Sequence, residues 1–182
     1  QESSPDVPSA ADTAYAPGEF RIFTGAGEPA TLDDIVDAMT NVSVVFVGET
    51  HDDPTQHMLE FELLQRAHAS HGGAPVALSL EFFQRDVPPI VDESLMDLIS
   101  ERSFLADSRP WPRYQTDYRP LVEFAKENGI AVIAANAPRR YASRVTRHGR
   151  ESLDDLPPRA RESVPPRAYG GPAVSSRGRW VA

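Results

Sequence analysis

The stretch "SVVFVGETHDDPTQHMLEFELLQ", residues 43–65, decides how this chain is read. A continuous run of β-forming residues ends at Gly48, and Glu49, His51, Asp52, Asp53 and His57 follow within nine residues. An unbroken β-branched run predicts a strand over 42–48 covered on both faces. The next segment predicts a helix. Asp53 suits its N-cap, Pro54 its first turn, and "GG" at 72–73 its end. Met58, Phe61, Leu64 and Ala67 are its expected buried face.

The same pattern recurs downstream. "PVALSLEFF" (75–83) and "IAVIAANAPR" (130–139) predict two more strands. "DVPPIVDESLMDLISE" (86–101) and "DYRPLVEFAKENG" (117–129) predict helices between them, the first tolerating its prolines in the opening turn. Upstream, "FRIF" (20–23) is a short strand, and "TLDDIVDAMT" (31–40) a helix with Thr31 as N-cap and Asp34 three residues on. Strands alternating with helices imply parallel pairing through right-handed crossovers. The expected fold class is therefore α/β, a mostly parallel sheet with helical crossovers and a site at the carboxyl ends of the strands.

Composition narrows the function. At 182 residues the chain can bury one core. Its net charge of −9 argues against nucleic acid as a partner. With no cysteine, it has neither disulfides nor thiolate chemistry. Residues 1–18 read as a flexible leader, 19–150 as the α/β domain, and 151–182 as an Arg/Pro-rich disordered tail. Gln1 in place of Met implies that something upstream was removed, although no signal peptide remains.

In parallel sheets, ligands bind at the carboxyl rim. Glu49 and His51, Glu81 and Asn136 each fall towards the end of an expected strand, so parallel neighbours would bring them together. Two carboxylates and an imidazole could hold a divalent metal, run acid/base chemistry, or form a purely structural network. The helix N-terminus after His51 would favour an anion at the same rim. His57, one turn into that helix, reads first as a surface residue, as do His68, His71 and His148. Asp52 and Asp53 read as cap acids. Tyr118, Arg119 and Arg139 are candidates for a pocket wall, with loop packing as the alternative. There is no P-loop, no G-x-G-x-x-G, no G-x-S-x-G and no H-E-x-x-H.

"VVFVGETHDDPTQH", "LSLEFFQRD" and "DYRPLVEFAKENGIAVIAANAPR" together resemble the ChaN-like family of haem-binding envelope lipoproteins. That family falls in a wider group with the erythromycin esterases and the TIKI/TraB-type proteins, and Gly48-Glu49-Thr50-His51 satisfies the group's Gly-x-x-His motif. The resemblance, over about residues 20–150, implies an α/β domain that binds haem, with a homodimer among its expected forms. It also implies a role in iron or haem uptake at the cell envelope, or as a secreted protein on the periplasmic side, with outer-membrane uptake machinery as a partner. His51 and Tyr118 are its candidate iron ligands and His57 the third. Arg119 or Arg139 would pair with a propionate, and Asn136 would line the same site. Family members continue past the "NAPR" block, so this chain would be the first half of the family domain, and the lipid-bearing cysteine is absent. Two alternatives remain: a metal-dependent or acid/base hydrolase using Glu49, His51 and Glu81, and an inactive truncated paralogue. Phe82, Phe83 and Trp111 favour an apolar haem slot over a hydrolytic water site.

Overall fold

The computed structural model describes residues 20–70 and 76–165. The expected leader, His71 and the end of the tail lie outside them. The elements run β1 (Ile22–Phe23), β2 (Pro29–Ala30), α1 (Leu32–Met39), α2 (Pro54–Ser70), β3 (Ala77–Gln84), α3 (Pro88–Leu95), α4 (Glu101–Ser108), a π-helical turn at Tyr114–Tyr118, α5 (Arg119–Glu127), β4 (Ala131–Asn136), α6 (Arg139–His148), a 3-10 turn at Arg150–Asp155 and α7 (Pro158–Arg161). The chain forms two compact units. The first takes its described residues from the stretch up to Val76 and from Arg113–Ala131, the second from Ala77–Pro112 and from Val132 onward.

In the first unit β1 and β2 form an antiparallel hairpin, Ile22 opposite Ala30 and Phe23 opposite Pro29. Gly27 turns the chain at φ 87°, a conformation that side chains with a Cβ rarely adopt. Thr31 then caps α1 as expected. Its hydroxyl accepts from the Asp34 N–H at 3.2 Å, and the Asp34 carboxylate accepts from the Thr31 N–H at 2.8 Å. Val36 and Met39 of α1 pack with Leu63 of α2, flanked by Leu32, Ile35 and Ala67. On the other side of α2, Phe61 and His68 both meet the Phe124 ring of α5 edge-on, at 5.8 and 5.7 Å between centroids. His68 is therefore half-buried rather than solvated.

The second unit carries the parallel pair β3–β4, and the protein is α/β. Phe82, Phe83, Val87, Val91 and Phe104 are buried there. Phe104 of α4 meets Phe83 edge-on at 5.8 Å. The helix expected over 86–101 is broken. It stops at Leu95, Asp97 turns left-handed at φ 58°, and the Ser100 hydroxyl accepts from the Ser103 N–H to start α4. A new N-cap begins a new helix where periodicity alone reads one. The basic segment after Pro138 is also a helix, α6, and His148 at its end is exposed. Beyond it, the first described part of the Arg/Pro-rich segment carries the 3-10 turn and α7.

The strand expected over 42–48 is absent. These residues belong to no sheet among the described residues, and Val44 and Phe46 are 65% and 85% exposed. β-branched residues favour a pleated backbone, but a strand exists only where a neighbour supplies ladder hydrogen bonds.

Replacing Thr31 with Ala removes the α1 cap and should cost about 0.5–2 kcal/mol, seen as a lower urea midpoint at unchanged m-value. An unchanged midpoint would show that the capping hydrogen bonds contribute nothing net.

Candidate functional site

The residues that gather in the first unit centre on one carboxylate. Glu49 leads into α2 and is 19% exposed. Its Oε1 accepts a hydrogen bond from the Tyr118 hydroxyl at 2.5 Å, lies 2.9 Å from His51 Nδ1, and is 3.8 Å from His57 Nε2. Bonds from a neutral donor to an ionised acceptor are short and strong, which fits the Tyr118 contact.

Three elements bring these groups together. The loop holding Glu49 and His51 is pinned to α2: the Thr50 N–H donates to Gln56 Oε1 at 2.5 Å, and Gln56 Nε2 donates to the Thr50 hydroxyl at 3.2 Å. α2 starts at Pro54, with Asp53 Oδ1 accepting from the Thr55 N–H at 2.8 Å, the cap read from sequence. The π-turn supplies Tyr118 and Asp117. Arg113 opens that turn in the left-handed region at φ 69°, and its Nε pairs with Asp117 Oδ2 at 2.8 Å.

His57 is the correction that matters most. Read as a surface residue, it is wholly buried. α2 buries His57, Leu63 and Leu64, while Met58, Phe61 and Ala67 are only partly covered. The His57 ring meets Tyr118 edge-on at 4.9 Å. Its Nε2 lies 3.3 Å from the His51 carbonyl and 3.6 Å from Asp117 Oδ2, and its Nδ1 lies 3.4 Å from Glu60 Oε2. Glu60, one turn further along α2, shares its face.

Two groups of this cluster, Glu60 and Tyr118, have displaced proton affinities. Burial, and then the nearby Glu49 charge, push the Glu60 carboxyl up to about 7, with His57 pulling the other way. Burial, and then the bond to Glu49, hold the Tyr118 phenol far above its ordinary value, so it is a hydrogen-bond donor in this arrangement rather than a phenolate.

The other residues named from sequence make contacts of their own. Arg119 opens α5 and pairs with Glu123 at 3.6 Å. Glu81, Asn136 and Arg139 belong to the second unit. Glu81 is mid-strand in β3 and exposed, short of the strand's end at Gln84. Asn136 ends β4, and its carbonyl accepts from the Arg85 N–H at 2.8 Å. The Arg139 N–H donates to Gln84 Oε1 at 2.9 Å. Sequence reasoning missed Glu60, Asp117 and Arg113. The His57-x-x-Glu60 spacing carried the signal for the first, but it shows only when α2 is turned with His57 inward.

Two cavities are lined by residues outside this cluster. One of about 610 Å³ is floored by the β1–β2 hairpin and the start of α1, with Arg66 at its edge. The other, about 440 Å³, lies between α6 and the 3-10 turn. Neither is lined by His51, His57 or Tyr118.

Comparison with known proteins places the chain. The sequence model of the haem-binding uptake family of the Tiki superfamily, ChaN, matches residues 35–178, and the chain belongs to that family. Protein RETICULATA-RELATED 5, chloroplastic, from Arabidopsis thaliana is 24% identical over 139 residues, covering 71% of this chain. The chain spans only 19% of that relative's length. No solved structure matches.

The Glu60 shift gives a pH dependence with a definite sign. The folded state holds this proton more tightly than the unfolded chain, whose carboxyl titrates near 4.5. Stability from this group is therefore full below that pH, falls as pH rises, and is lost above about 7. The total is on the order of 3 kcal/mol. Glu60→Gln should flatten the fall between pH 5 and 8 in thermal unfolding; an equally steep fall in the variant would remove Glu60 as its source. Separately, Tyr118→Phe deletes the donor to Glu49 and should cost about 1.5–3 kcal/mol in urea. A neutral substitution would mean that water replaces the phenol at no loss.

Proposed function

We propose that this protein binds haem through His51 and serves iron or haem handling at the cell envelope. The observation that carries the reading is the Glu49–His51 pair. The His51 side chain is 57% exposed, and its Nδ1 lies 2.9 Å from a carboxylate that is itself mostly buried. A carboxylate on one ring nitrogen fixes the tautomer and makes the other nitrogen, Nε2, the basic one, the usual support for a metal-bound histidine. Imidazole is an ordinary axial ligand of haem iron.

The donor set fits haem at an open surface. The exposed imidazole follows an exposed apolar run in which Val44, Val45, Phe46 and Val47 are 44–85% exposed. A porphyrin face needs such apolar cover. Bound there, haem would supply redox-active iron, or be itself the cargo. His51 would hold the iron, Glu49 would orient His51, and Tyr118 would fix Glu49. We assign Tyr118 this supporting role rather than ligation, because its hydroxyl is committed to Glu49 and its phenol resists ionisation. Arg119, in the same unit as His51, is the candidate propionate partner. An exposed ligand beside exposed apolar residues suits haem shared with a second copy of this chain, so we include a homodimer in the proposal. Among the described residues, no helix is long and apolar enough to cross a membrane. The hydrolytic alternative has less support, since it needs Glu81 as a third active-site group and that side chain is exposed in mid-strand.

Haemin titration followed in the Soret region should give a saturable, shifted band at one haem per chain or per pair of chains. His51→Ala should remove the shift, whereas Tyr118→Phe should keep it. A band that survives His51→Ala would end the ligand assignment, and no saturable band in the wild type would end the haem reading.

A further inference from the structure

We infer that Glu49, His57 and Glu60 form a second site, beneath the exposed imidazole, that takes a divalent first-row metal ion such as Zn²⁺. One donor atom from each of the three residues can be chosen so that all lie within 4.8 Å of one another. They are not a casual surface cluster. The His57 side chain is fully buried, and those of Glu49 and Glu60 are 19% and 13% exposed.

The spacing leaves room for an ion among these donors. His57 Nδ1 lies 3.4 Å from Glu60 Oε2, and the opposite ring nitrogen, Nε2, lies 3.8 Å from Glu49 Oε1. Good N–H···O bonds run at roughly 2.7–3.2 Å, so both contacts are long. Two donors that share a tetrahedral ion at roughly 2.1 Å stand about 3.4 Å apart, so with one His57 nitrogen as ligand the more distant carboxylate would move inward to close the set. Buried carboxylates beside one another are unfavourable until a positive charge joins them.

Local structure holds the donors in place. His57 and Glu60 are three apart on α2 and share one face, as paired imidazole and carboxylate ligands do in helical metal sites. Glu49 is fixed from outside by the Tyr118 hydroxyl, and its loop by the reciprocal Thr50–Gln56 bonds. Such outer contacts orient ligands and tune affinity. One imidazole and two carboxylates, with no sulfur, suit borderline and hard divalent ions rather than Cu(I).

The test is calorimetric titration of the metal-stripped full chain with Zn²⁺, with ring-¹⁵N NMR of its histidines. One ion per chain should bind, and the buried His57 ring should shift. Glu60→Gln, close in shape to the native side chain, should weaken Zn²⁺ at least tenfold while the metal-free chain still gives a saturable haem Soret band. Unaltered Zn²⁺ binding by Glu60→Gln would overturn the inference. So would shifts confined to the other histidines, a reading that holds even if the variant fails to fold. Zn²⁺ binding at His57 without any haem band would leave this site standing and remove the haem proposal alone.

Discussion

A mostly buried carboxylate needs donors, and the first unit is arranged to supply them to Glu49. Left in a low-dielectric setting without partners, an ionised carboxylate costs several kcal/mol. The Tyr118 hydroxyl meets it at 2.5 Å and His51 at 2.9 Å. The constraint reaches further than these contacts. Tyr118 arrives on a π-helical turn, a rare geometry that recurs at functional sites. Holding that turn requires Arg113 in the left-handed region, and the Arg113–Asp117 pair offsets part of that strain.

The polar groups of the second unit contrast with this. Asp86 pairs with Arg109 at 2.9 Å and also with Arg140. Hydrogen bonds and charge from the two guanidiniums outweigh burial and hold its carboxyl below the ordinary range. An acid already matched by fixed cations has little left to offer a ligand. Around Glu49 an exposed imidazole and a second carboxylate, one near neutrality in its titration, leave charge that can still be redistributed.

The parts of the fold legible in sequence obey local rules. The Thr31/Asp34 capping box, the Asp53-Pro54 start of α2 and the Gly129 stop at φ 63° each depend on residues within a turn of one another. The run at 42–48 depends on a distant backbone, and residue type could not say whether that partner would be present. The face of α2 was misread because apolar residues surround that helix almost evenly, so that Met58, Phe61, Leu63 and Leu64 do not mark one side. Glu49, His51 and Tyr118 were legible as chemistry because they sit where an apolar run stops or a helix opens. Their meeting was not, since Glu49 and Tyr118 are 69 residues apart. Asp117 and Glu60 were hidden for the same reason: ordinary helix acids by sequence, they gain meaning only beside a buried His57.

The two proposed ligands would share Glu49, and sharing has a direction. Ligation at His51 draws on the ring's electron density, which a full negative charge at Nδ1 supports. A cation held by His57 and Glu60 would take up part of that same charge through Glu49 Oε1. Each ligand would then weaken the other, by equal free energy in both directions, because coupling between two binding equilibria is reciprocal. Tyr118 sets the scale of this antagonism. Its hydroxyl already withdraws density from the same oxygen, at 2.5 Å, so Glu49 meets both imidazoles as a moderated acceptor rather than a bare anion. Removing that hydroxyl would strengthen Glu49 towards both sites and sharpen the competition between them. In the role proposed for it, a buried tyrosine outside the iron's ligands would govern how strongly an exposed histidine holds iron.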